Sequence, residues 1–201
     1  MKQIELPHER IFTSPEFVKH YYNAHKKHMG MIGKKIAKSL IKYGFREGRI
    51  IDVGCGFGIM AVEIAKAIPG VKITGIDLSQ PLLEIANSLA KEAGVSDRVV
   101  FQKGDVQKIE FADDSFDIAI NTFIIHIVEN PLAMLNEIER VVKPEGRIFI
   151  MDLRRCWPGL IAQDIRKANT RQEAENIFQD SSIRVGKFGS GLFWWNYQAG
   201  R

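Results

Sequence analysis

Only two cysteines occur in 201 residues, Cys55 and Cys156, far apart and in no metal-ligand spacing. That excludes a disulfide framework and predicts a reducing, cytoplasmic setting. No run approaches the roughly 20 apolar residues of a membrane span, so no membrane role is expected. The first residues, MKQIELPHER, lack the apolar core of a secretory signal. Internal repeats, low-complexity tracts and linkers are also missing, which predicts a single domain over residues 1–201.

What is present is ordinary in bulk and uneven in layout. A content of 45% hydrophobic and 26% charged residues suits a globular chain. Residues 1–50 carry 11 Lys or Arg against 4 Asp or Glu, and the remainder carries 17 against 20. A basic leading segment either steers an anionic partner or is the solvated face of helices, and the second reading is the default.

Ser14 and Pro15 predict a capped helix to about Met29, followed by a second from Gly30 to Tyr43 that Gly44 ends. From there strand and helix patterns alternate. RIIDV (49–53), VKITGID (71–77), RVVFQKGD (98–105), SFDIAINT (115–122) and GRIFIMDL (146–153) read as strands. GIMAVEIAKAI (58–68), SQPLLEIANSLAKEAG (79–94) and NPLAMLNEIERVV (130–142) read as helices between them. Such alternation implies right-handed crossovers and a doubly wound, mostly parallel α/β sheet. Two more helical stretches, GLIAQDIRKA and RQEAENIFQD, lead to a hairpin predicted to turn at Gly189-Ser190 and to add an antiparallel final strand. Within it Trp194 and Trp195 point to opposite faces, one of them into the core. Residues 1–45 then form an N-terminal helical cap and residues 46–201 the α/β core.

The stretch IIDVGCGFGIM (50–60) concentrates the chemistry. Asp52, Gly54, Gly56 and Gly58 form D-x-G-x-G-x-G between a strand and a helix, where a ligand can lie against backbone with no Cβ in the way. Cys55 reads as a small residue whose backbone matters. The next strand ends in Asp77, placed to accept ribose hydroxyls, or alternatively a plain acid leading the helix. The third ends in Gly104-Asp105, where the carboxylate reaches an adenine amino group and the Val106 amide a ring nitrogen, or where Asp105 merely caps a turn. A dinucleotide cofactor wants G-x-G-x-x-G, yet Ile59 stands where the third glycine belongs. Asp52 also sits awkwardly for a pyrophosphate and suits an ammonium group. S-adenosylmethionine, with an adenosine, a sulfonium and an amino-acid end, matches better. An NAD-type dinucleotide-dependent oxidoreductase is the rival, and a non-catalytic S-adenosylmethionine-binding module the third reading.

The segments IIDVGCGFG, ITGIDLS, GDVQKIEFADDSFDIAI and EIERVVKPEGRIFIMDL resemble the ordered motifs of class I S-adenosylmethionine-dependent methyltransferases. They are most similar to the small-molecule branch that includes quinone-biosynthesis C-methyltransferases. The resemblance spans about residues 49–153 and implies a seven-stranded, Rossmann-like sheet. It implies that Asp52 and the Gly54–Gly58 loop meet the methionine end and ribose, and that Asp77 with Leu78 meets the ribose side. Asp105 and Val106 would meet the adenine, and Asn121 would lie near the methionine portion. The product would be S-adenosylhomocysteine.

Candidates for a base or orienting group are few. His126, after the fourth strand, lies near the reactive end or packs against the following helix. Tyr21 and Tyr22 either cover the cofactor or pack their helix down. His20, His25 and His28 share a helix without an i, i+4 pair, so no metal is expected. Short connections near the C-terminal side leave no room for a nucleic-acid module and favour a small-molecule acceptor. Arg154, Arg155 and Trp157 are placed at its rim and, with the basic helices, suit an anionic one.

Overall fold

A computed structural model describes residues 12–156 and 168–200. Seven strands form one sheet in the order β3-β2-β1-β4-β5-β7-β6. They are β1 (Glu47–Val53), β2 (Gly70–Asp77), β3 (Val99–Lys103), β4 (Phe116–Thr122), β5 (Val142–Leu153), β6 (Gly186–Ser190) and β7 (Trp194–Ala199). The pairs β1–β4, β2–β3 and β4–β5 are parallel, whereas β7 runs antiparallel to both β5 and β6. This is the expected doubly wound, mostly parallel α/β sheet with its antiparallel final strand. The strand order reverses between β1 and β4, where Asp52 stands opposite Ile120 and Val53 opposite Asn121. Ligands of open α/β sheets bind beyond the strand ends at such a reversal.

The described residues fall into two compact units, one of residues 12–48 and 55–104, the other of 49–54, 105–156 and 168–200. The first holds α1 (Pro15–Lys42), α2 (Ile59–Ala67) and α3 (Gln80–Glu92). Its core includes Leu40, Ile64, Ile73 and Leu83, all nearly inaccessible. The second holds α4 (Pro131–Val141) and α5 (Arg171–Asp180), with Leu135, Ile138, Ile148 and Trp195 fully buried. Trp194 is exposed, so the two tryptophans divide between core and surface as their alternation predicts. The predicted helix at 159–168 lies, except for its last residue, outside the described residues, as does Trp157.

Three expectations are corrected. The two N-terminal helices are one, 28 residues long, with Gly30 and Gly33 inside it and not at its end; Gly33 marks a close contact. A Cβ on Gly33 would lie 2.9 Å from the Met60 Cα, whereas one on Gly30 would meet only the Ile59 side chain at 3.5 Å. Gly33→Leu should therefore cost about 1–3 kcal/mol through overpacking, while Gly30→Ala should be neutral or stabilise by about 0.5–1 kcal/mol. Thermal unfolding of the two variants checks this, and equal losses would contradict the contact at Met60. Gly44 does end the helix, at φ +83, with the Gly44 N–H bonded to Ile41 O and the Phe45 N–H to Leu40 O.

The hairpin turns at residues 191–193 and not at Gly189-Ser190, which pair with Asn196 and Trp195. A Cβ on Gly189 would come within 2.4 Å of Asn196 Oδ1, the far end of a side chain that can swing aside, so Gly189 is an ordinary strand position facing Asn196. The fifth strand starts early, at Val142, with Pro144 and Gly146 inside a bulge between the pairs Phe116–Val142 and Ile118–Arg147. Arg184 supports that bulge by donating to the carbonyls of Val142, Lys143, Pro144 and Gly146 while pairing with Glu139.

Candidate functional site

In the first unit the loop after β1 is built around backbone that only glycine adopts easily. Gly56 has φ +53 and Gly58 φ +67. Around Gly58 space is closed: a Cβ would meet Phe101 Cζ at 2.4 Å and Ala86 Cβ at 2.7 Å. Around Gly56 space is open, with nothing within 4 Å of a Cβ. The Cys55 N–H donates to Ile76 O, 3.0 Å away, and the Cys55 side chain is buried, as suits a residue used for its backbone.

Asp77, the last residue of β2, organises this loop. One carboxylate oxygen accepts the Gly56 N–H at 2.8 Å, and the other accepts the Ser79 N–H at 2.9 Å. Burial pushes its carboxyl above the usual value, against the lowering effect of N–H groups from Ser79, Gly56 and Leu78. Beside it Leu78 is an exposed apolar side chain. Ser79 caps α3 through Leu82 N and donates its hydroxyl to Phe12 O at 2.6 Å.

Phe57, between two of the loop glycines, was not singled out by sequence. It belongs to a buried cluster with Val18 and Leu82. Tyr21 and Tyr22 both meet its ring edge-on, at centroid distances of 5.9 and 5.2 Å. The two tyrosines thus pack their helix onto the glycine loop. Lys26 lies over the Tyr22 ring at 4.9 Å.

In the second unit the Asp52 side chain is buried near the end of β1. Gly54 follows at φ +75, and a Cβ there would strike Ile124 Cγ1 at 2.4 Å. On β4 the Asn121 amide donates to Val53 O at 2.8 Å, while its buried Oδ1 has no partner among the described residues. Asp105 closes a turn by accepting the Gln107 N–H on Oδ1 at 2.8 Å, as the plainer reading expects. Val106 is buried beside it.

The turn after β4 carries two features that the sequence reading missed. Phe123 adopts φ +60, a conformation uncommon for a bulky residue and concentrated at functional sites. Asp152, buried on β5, receives His126: Nδ1 lies 2.6 Å from Oδ1, and the His126 N–H donates to Oδ2 at 3.0 Å. His126 thus pairs across to a strand instead of simply packing against the next helix. Asp152 had a signal available, since IMDL ends an apolar strand in an acid just as IIDV and ITGID do.

Arg154 and Arg155 are engaged within the same unit, Arg154 by the carbonyl of Gly191 and Arg155 by Glu173. Among the described residues no three His, Cys, Asp or Glu side chains gather as a metal site. No helix among them is long and apolar enough to cross a membrane.

A family model described as a methyltransferase domain matches residues 45–191. The chain belongs to the methyltransferase domain family. Among methyltransferases of known name it is 38% identical, over 120 residues, to the ubiquinone/menaquinone biosynthesis C-methyltransferase of Geotalea daltonii, covering 59% of this chain and 51% of that protein. It is 36% identical over 104 residues to the 27-O-demethylrifamycin SV methyltransferase of Amycolatopsis mediterranei, covering 52% of this chain and 38% of that one. The chain thus spans about half or less of these methyltransferases. A solved SAM-dependent methyltransferase from Aquifex aeolicus superposes with a TM-score of 0.76 at 22% identity, over 92% of this chain and 97% of that one, which shows a shared fold.

Proposed function

We propose that this chain transfers a methyl group from S-adenosylmethionine to a small-molecule acceptor. The observation that carries the reading is the loop at Gly56: left-handed backbone with open space on its Cβ side, tied to a strand-end carboxylate. Such a cradle accommodates a ligand against bare backbone. The orphaned Oδ1 of Asn121 also fits a ligand carrying donors.

In this reading Asp77 accepts the ribose hydroxyls with the lone pairs left by Gly56 and Ser79, and Leu78 offers an apolar surface alongside. Asp105 and Val106 take the adenine. Asp52, Gly54, Cys55, Gly56 and Gly58 line the methionine end and ribose, and Asn121 reaches the amino-acid portion. Tyr21 and Tyr22 hold the loop down through Phe57 and serve as its cover. Bound there, the cofactor supplies an electrophilic methyl on sulfonium and leaves as S-adenosylhomocysteine. The protein aligns the acceptor and excludes water, which is much of what an in-line displacement needs.

Residues 1–201 act in this reading as one catalytic domain in the cytoplasm. The small-molecule acceptors named for the quinone and rifamycin relatives set the expected scale of the substrate. An anionic acceptor would be steered by the exposed lysines of α1, among them Lys19 and Lys27. A dinucleotide is disfavoured by Ile59, which opens α2 where a third glycine would receive the pyrophosphate.

Calorimetric titration with S-adenosylmethionine, S-adenosylhomocysteine and NAD tests the reading. Micromolar binding of the first two without NAD is expected. Binding of NAD alone would overturn it.

A further inference from the structure

The turn after β4 holds a buried hydrogen-bonded histidine–carboxylate pair that cofactor binding does not require. The Asp152 side chain is 1% accessible and the His126 side chain 7%. The carboxylate accepts the His126 N–H at 3.0 Å and the Leu153 N–H at 2.6 Å, with His126 Nδ1 2.6 Å from Oδ1. An ionised carboxylate only accepts, so Nδ1 must carry the proton in this contact. In neutral imidazole the lone pair is then on Nε2. Nε2 makes no hydrogen bond among the described residues.

Placement separates this pair from an ordinary buried contact. Ile124, two residues before His126, packs against Gly54 closely enough to forbid a Cβ there. Phe123 directly precedes it with its left-handed φ, held by an N–H bond to Met151 O on β5 at 2.8 Å. The turn closes through bonds from the Ile127 and Val128 N–H groups to Ile124 O. A strained residue, a contact with the glycine loop and a carboxylate-backed imidazole therefore occupy one short turn, at the strand-order reversal where ligands of such sheets bind.

We propose that Asp152 is a positioning residue that fixes His126 with its Nε2 lone pair toward the acceptor, and that the acceptor is therefore a hydroxyl compound of phenol or enol type that must lose a proton. The inference rests on the methyl-transfer reading above and names its substrate class. The acceptor oxygen gives its proton to Nε2 and its electron pair to the methyl carbon. A C–O bond forms, and the C–S bond breaks with both electrons left on sulfur. An amine already free, or a thioether, has no proton to lose before attack and needs no such pair.

The test uses the full chain saturated with S-adenosylhomocysteine, with 4-nitrophenol as the hydroxyl probe and 15N-labelled histidine. Calorimetry first shows whether the cofactor product binds; failure there sinks the methyl-transfer reading and not this pair specifically. With product bound, the wild type should show His126 as the Nδ1–H tautomer and should bind the probe as phenolate while Nε2 gains a proton. His126→Asn keeps an N–H toward Asp152 and deletes Nε2, and should lose the phenolate signal with product affinity unchanged. Asp152→Asn should weaken phenolate binding by about 10–100-fold, as expected for a hydrogen bond to a charged group. A probe that leaves the Nε2 resonance unmoved, or phenolate that binds His126→Asn as well as wild type, overturns the proposal.

Discussion

Gly58→Ala is expected to lower the melting temperature by roughly 5–20 °C, far more than the same change at Gly56. Its Cβ would enter the Phe101 ring at 2.4 Å and the Ala86 methyl at 2.7 Å, on backbone at φ +67. Left-handed backbone costs about 1–2 kcal/mol for a residue with a Cβ. Overpacking adds about 1–3 kcal/mol. Each kcal/mol moves the midpoint by about 2–4 °C in a chain of this size. Gly56→Ala carries only the backbone penalty, since nothing lies within 4 Å of its Cβ. It should stay folded and lose cofactor affinity by more than about tenfold, because the methyl group fills the space a ligand would use. Gly94 is the control. It has φ +66 and equally open surroundings at the end of α3, far in sequence from the loop. Gly94→Ala should match Gly56→Ala in melting temperature and leave affinity intact. Equal affinity in all three folded proteins would remove the cradle from the cofactor site.

Asp77→Ala should weaken S-adenosylmethionine binding by about 10–100-fold, the range expected when hydrogen bonds to a charged acceptor are lost. Part of that loss is indirect, because Gly56 and Ser79 lose their acceptor. Asp77→Asn, which keeps one carbonyl oxygen, should fall between Ala and wild type. The pH dependence gives an independent reading. Ribose hydroxyls donate to the ionised carboxylate, so wild-type affinity should rise with pH through the raised Asp77 pKa and level off above it. Stability of the unliganded protein should move the other way. In the window between the ordinary carboxylate value and the raised one, the fold holds a proton that the unfolded chain has released, so stability falls as pH rises. Asp77→Asn should abolish both slopes. Calorimetry and urea unfolding across acid pH measure them, and a wild-type affinity flat over the whole range would rule out the ribose contact.

Much of the fold was legible because its stops are local chemistry. Ser14, Ser79 and Asn130 each cap a helix that begins with or near a proline. Gly44 and Gly94 sit in left-handed conformations where the patterns end. What escaped was set by contacts between distant residues. Gly30 and Gly33 look like a break between helices, and only the close approach of Met60 to Gly33 gives one of them a reason for its small size. Gly189 looks like a turn until its pairing with Asn196 places it inside β6. The site divides in the same way. Spacing pointed to Asp52, Asp77 and Asp105, each near the end of an apolar run. It gave no hint that Asp77 would grip the glycine loop itself, nor that His126 would find Asp152. The left-handed Phe123 has no local signal at all, because only the surrounding structure can hold a phenylalanine there.

The order of the last two strands constrains how a growing chain can assemble. β6 precedes β7 in sequence but joins the sheet only through it, since β7 lies between β5 and β6. Until residues 194–199 have been synthesised, the outer edge of β5 stays open and β6 has no strand to pair with. Nascent chains halted anywhere between β5 and β7 should thus present an unpaired β5 edge, a template for pairing with another polypeptide. Chaperone demand during translation should persist from the completion of β5 and fall once β7 pairs and Trp195 enters the core.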